Sequence, residues 1–120
     1  MTYATASRAE TLRQFLAEVR AVDFKIDENF QGILRAAQGL LEMSEQEIAD
    51  ALSVSRPTVN RWINGKNLPY NAMRKPVVSW IDDQLSARIR RVEASARSYS
   101  ASSSSGFAPR YERMAAKSRE

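Results

Sequence analysis

SEQEIADALSVSRPTVNRWINGKNLP, Ser44 to Pro69, is the stretch on which the reading of the chain turns. Ser44 followed three residues later by Glu47 is the reciprocal arrangement that satisfies the free backbone donors at a helix start. Ile48, Ala49 and Leu52 then supply the buried side of a helix of little more than two turns, and the small Ala49 predicts a close neighbour. Ser53-Val54-Ser55 leaves room only for a tight turn, with Val54 plugging the angle. A second short helix is predicted to begin at Ser55 or one residue later, because Pro57 fits only a first helical turn. Val59, Trp62 and Ile63 face inward, while Arg56, Pro57, Asn60, Arg61 and Asn64 face outward. Gly65 stops this helix in the left-handed conformation. Lys66 to Pro69 is a loop, with Leu68 tucked back. Two short helices joined by such a turn form a helix-turn-helix unit.

Upstream, Leu12, Phe15, Leu16, Val19 and Val22 recur at helical spacing, which predicts a helix from Arg8 to Val22, capped by Ser7 with Glu10 as partner. It packs on the core or on a second copy of the chain. Asp27 is expected to cap the next helix, whose wide stripe of Phe30, Ile33, Leu34, Ala37, Leu40 and Leu41 makes it the central one. Downstream, Tyr70 to Lys75 is expected as a short helix and Pro76 as the start of another, with Val77, Ile81, Leu85, Ile89 and Val92 inward. Trp62 and Trp80 read as core. From Ser95 the composition turns serine-rich, which predicts a flexible basic tail with a transient helix at Tyr111 to Lys117. The expected organisation is therefore an N-terminal helix and connection (1–26), a central domain (27–94) and a tail (95–120).

Composition narrows the function. The chain has 120 residues, enough for one small domain. It has no cysteine and no histidine, so thiolate chemistry and the commonest metal ligand and general base are absent. No cofactor or metal is expected. Asp82 and Asp83 are adjacent, so on a helix they diverge by about 100° and do not converge on a metal. Ser102 to Ser105 is linker composition, and no glycine-rich phosphate loop is present. These features argue against an enzyme. No apolar run is long enough for a membrane span or a signal peptide, which predicts a cytoplasmic protein. The net charge of +4 is unevenly spread. Ala51 to Ile81 holds Arg56, Arg61, Lys66, Arg74 and Lys75 and no acidic residue, a surface that would attract a polyanion.

From about Asn29 to Val92 the chain resembles the lambda-repressor-like (Cro/CI, XRE-type) helix-turn-helix family. The resemblance rests on Ser44, Glu47-Ile48-Ala49, Leu52, Val54-Ser55, Thr58-Val59, Arg61-Trp62, Asn64-Gly65-Lys66 and Pro69. It implies an all-α fold: a bundle of about five helices, to which this chain adds the N-terminal amphipathic helix and the tail. It also implies a double-stranded DNA partner, with the helix Ser55–Asn64 in the major groove, and binding as a homodimer to two half-sites. Carried over position by position, Arg56, Pro57, Thr58, Asn60 and Arg61 are the expected base-contacting residues. Ser44, Gln46, Ser55, Asn64, Lys66 and Asn67 are the expected phosphate contacts, with Arg74 and Lys75 as weaker candidates. Arg88, Arg90 and Arg91 are assigned to an exposed helix side. The sequence departs from the family at two positions. Ser53 stands where the family usually has Gly. Glu45 stands where it often has Gln against a phosphate, so that contact passes to Ser44, Gln46 or the helix N-terminus.

The expected function is a sequence-specific transcriptional regulator, most simply a repressor of bacterial or phage type. The alternatives are a protein-interaction module on the same scaffold, such as an antiactivator or antitoxin working through its N- or C-terminal helix, and a DNA-binding accessory factor in recombination.

Overall fold

The computed structural model describes residues 2–105, with side chains described from 7 to 96. All regular structure among the described residues is helical: α1 (Thr2–Ala21), α2 (Asp27–Leu41), α3 (Glu45–Leu52), α4 (Arg56–Ile63) and α5 (Asn71–Ser105). The inward stripes predicted from spacing meet in one core, where Leu12, Phe30, Leu34, Ala49, Val59, Val77 and Leu85 are fully shielded from solvent. Phe30 is wholly buried there and packs against Trp62 in a T-shaped arrangement, with ring centroids 6.4 Å apart at 72°. Trp80, Val54 and Leu68 are half-buried against the same cluster.

α1 and α5 pack extensively and run antiparallel, since Arg13 pairs with Glu93 and Arg20 with Asp82. The Arg20 guanidinium donates twice to the Asp82 carboxylate, at 2.8 and 3.1 Å. Those hydrogen bonds, ahead of the charge attraction, hold the Asp82 carboxyl below its ordinary range. This pair of helices braces α2, which in turn supports α4.

α2, α3 and α4 end in the same way. In each, one residue takes the left-handed conformation and two backbone N–H groups fold back onto the last carbonyls. The left-handed residues are Glu42 (φ 56°), Ser53 (φ 60°) and Gly65 (φ 77°). After Gly65 the bonds run from its N–H to Trp62 O and from Lys66 N–H to Arg61 O. Only Gly65 reaches this region without a steric cost.

Several local expectations give way to tertiary packing. α1 begins before Ser7, so Ser7 does not cap it. The Ser7 carbonyl accepts from Thr11 Oγ1 instead, and Glu10 turns to Arg13 and Gln14. Extending a helix that is already packed adds one hydrogen bond per residue without a new nucleus, and Ala4 and Ala6 favour it. Asp27 is inside α2 rather than its cap, and Ile26 precedes the helix with no side-chain cap. The predicted break at Pro76 is absent, and α5 runs through it from Asn71. Pro76 lacks the N–H that would bond to the Ala72 carbonyl, but both residues are exposed, so water can satisfy that oxygen. Residues 95–105, expected as tail, continue α5. The transient helix expected at Tyr111 to Lys117 lies outside the described residues.

Two arginines also differ from their expected roles, and a third joins one of them. Arg74 is not a surface cation available to a phosphate. It is 6% exposed and donates to Pro69 O (2.7 Å), Phe24 O (3.0 Å), Lys25 O (3.0 Å) and Asp27 Oδ1 (2.7 Å). Its guanidinium lies 5.4 Å from the Phe30 ring centre. One side chain thus ties the α1–α2 connection to the loop after α4. Arg88 is not on a free helix side either, for it donates to Leu41 O at 2.9 Å. Arg8 donates to Leu40 O at 3.2 Å. Two cations from the bracing helices therefore cap the negative end of α2.

Candidate nucleic-acid interface

α3 and α4 are held at their turn by local chemistry. Ser44 Oγ accepts from Glu47 N–H at 3.0 Å while Glu47 Oε1 accepts from Ser44 N–H at 2.8 Å, so the predicted capping box is formed. Ser55 Oγ accepts from Thr58 N–H at 3.2 Å and starts α4, with Pro57 in its first turn. Gln31 of α2 donates to Ile63 O at 2.9 Å and supports the far end of α4.

Val59, Trp62 and Ile63 are buried. At helical spacing the middle of the opposite face falls on Pro57, Arg61 and Asn64, all exposed. Arg56 and Asn60 lie on the flank toward α3, and Thr58 lies on the other flank. Arg61 is exposed, and its nearest polar partner is Thr58 Oγ1 at 3.5 Å. Arg56 is exposed but paired, with Nη1 donating to Glu45 Oε1 at 3.3 Å. Asn60 is half-buried and donates from Nδ2 to Glu45 Oε2 at 2.9 Å. Arg56 and Arg61 are therefore on different lines of the helix surface. Arg61 occupies the crest, and Arg56 occupies the edge against α3.

The expected phosphate contacts fall into two groups. Ser44, Gln46 and Ser55 sit at the N-terminal ends of α3 and α4, where exposed N–H groups and the helix dipoles favour an anion. Gln46 is engaged with Asp50 at 2.8 Å. Asn64, Lys66 and Asn67 sit at the other end of α4. Asn64 donates to Asn60 O at 2.9 Å, and Asn67 takes a left-handed backbone (φ 50°) that turns the chain toward α5. All six are exposed. The sequence marked Glu45 only as a carboxylate where the family often has Gln; that it would bind both Arg56 and Asn60 depends on how α3 and α4 meet.

A family model described as a homeodomain-like domain matches residues 25–66. That span takes in α2, α3 and α4, three helices of which the last two form the turn unit. No curated protein and no solved structure matches the chain. The match describes homeodomain-like domains rather than the narrower lambda-repressor-like class that the motif order suggests. Match and geometry agree on a helix-turn-helix unit within residues 25–66.

Proposed function

We propose that the protein is a sequence-specific regulator that binds double-stranded DNA with α4 in the major groove. The observation that carries this is the outward face of α4. It presents Pro57, Arg61 and Asn64 along its crest and Arg56 on its edge, while the opposite face is anchored in the core. Arg61 reads a base edge, a guanine by preference, since a guanidinium fork matches O6 and N7. Arg56, Thr58 and Asn60 flank it, and Pro57 offers a ring to a thymine methyl. Ser44, Gln46 and Ser55 at one end, and Asn64, Lys66 and Asn67 at the other, contact phosphates and fix the register. In its simplest form the protein is a lambda-repressor-like repressor of bacterial or phage type. It binds two half-sites as a homodimer in the cytoplasm and blocks polymerase.

Selection of bound sequences from a random duplex pool, followed by fluorescence anisotropy on the winner, tests this reading. Binding should fall steeply with salt. Arg61→Ala should weaken the selected site by about tenfold or more and relax preference at one position. Lys66→Ala should weaken all duplexes alike and lower the salt slope by about 1. Absent binding, or binding indifferent to salt and to Arg61→Ala, would refute it.

A second reading keeps the unit as a scaffold for a protein partner, as in an antiactivator or antitoxin. One observation favours it: Arg56 is paired and Arg74 is buried, which thins the positive field of the acid-free stretch. Recovery of a stoichiometric protein partner with no DNA retained would select it.

A further inference from the structure

We propose that Glu45 is a positioning residue for base reading: it orients Arg56 toward a guanine, with Asn60 as anchor rather than reader. This rests on the DNA-binding reading above and deepens it. Glu45 opens α3, and both its carboxylate oxygens point at α4. One receives Arg56 Nη1 and the other receives Asn60 Nδ2. Arg56 and Asn60 are one turn apart, so the carboxylate bridges a single edge of the helix. The Glu45 side chain is only 24% exposed, against 55% for Arg56. Its charge is thus directed into the unit, where a carboxylate aimed outward would repel the phosphates.

The geometry divides the donors. Arg56 commits one Nη1 N–H to Glu45, and its other N–H groups remain for the two acceptors of guanine. A long side chain that is already held loses less freedom when DNA arrives. Asn60, by contrast, is engaged at both ends: its nitrogen donates to Glu45 and its oxygen accepts from Asn64 at 3.3 Å. Reading adenine would require both ends together.

The test measures two affinities for each variant. One duplex is the selected site, and the other replaces the base pair whose preference Arg56→Ala abolishes. In the native protein the pair should differ by about tenfold or more. Glu45→Gln should cut that ratio severalfold while tightening binding to the altered duplex, because a negative charge near the phosphates is gone and Arg56 is loosened. Glu45→Asp, too short to reach both partners, should also cut the ratio. This pairing of lost discrimination with gained nonspecific affinity is not what simple damage to the fold produces. The proposal is overturned if Glu45→Gln leaves the ratio intact or lowers both affinities together. If native protein binds DNA and responds to Arg61→Ala, such a result removes only the role of Glu45. If native protein binds no duplex, the DNA-binding reading fails and this one with it.

Discussion

Replacing Arg74 should cost a large part of the stability of the fold. Arg74→Ala removes the donor to three backbone carbonyls, at Phe24, Lys25 and Pro69. Water can re-enter the space, so about 1 kcal/mol for each orphaned carbonyl is the working value. Losing the contact with Phe30 adds about 0.5–1 kcal/mol. The methylene stem, packed with the rest of a side chain that is almost wholly shielded, adds roughly 1 kcal/mol. Asp27 is 66% exposed and rehydrates, so its ion pair contributes little to the sum. The total is about 4–5 kcal/mol, against a usual stability of about 5–15 kcal/mol for a domain. At about 4–8 °C per kcal/mol, Tm should fall by roughly 16–40 °C. Urea and thermal unfolding followed by circular dichroism measure both quantities. Arg74→Met separates the causes, because it restores apolar volume without any donor and should recover no more than about 2 kcal/mol. The reasoning is refuted if Arg74→Ala costs under about 1 kcal/mol, or if Arg74→Met is as stable as the native chain.

Other substitutions test the helix ends and the brace. Gly65→Ala should destabilise by about 1–2 kcal/mol, because it forces a residue with a Cβ into the left-handed conformation and crowds the Gln31 side chain. An unchanged urea midpoint would contradict it. Ser53→Gly should raise stability by up to about 1 kcal/mol, since it relieves the same strain between α3 and α4; a loss of stability would show that Ser53 contributes a contact of its own. Asp82→Asn should matter least in acid. The native Asp82 carboxyl titrates below its ordinary range, chiefly through hydrogen bonds from Arg20. Its contribution is fully present above about pH 4 and is lost as pH falls through the lowered value. The difference in Tm between the two proteins should therefore narrow below about pH 4 and shrink with added salt, and parallel acid limbs would refute the assignment.

The parts of this protein legible in the sequence are those governed by near neighbours. Ser44 and Glu47 cap α3, Ser55 and Pro57 start α4, and Gly65 ends it. In each case the interacting groups are within a turn of one another, so spacing alone specifies the bond. The inward stripes were equally readable, because apolar residues at helical intervals share a face whatever they later meet. What required the tertiary structure was the fate of the charged and polar groups. An arginine has the same composition on a surface as in a core. Arg74 becomes a core residue only because carbonyls from positions 24, 25 and 69 converge on it. Arg8 and Arg88 become caps only because α1 and α5 bring them to the end of α2. Glu45 turns inward only because α4 places Arg56 and Asn60 beside it. A local hydrogen bond is set by the order of residues, whereas a buried cation or a bridging carboxylate depends on where distant backbone comes to lie.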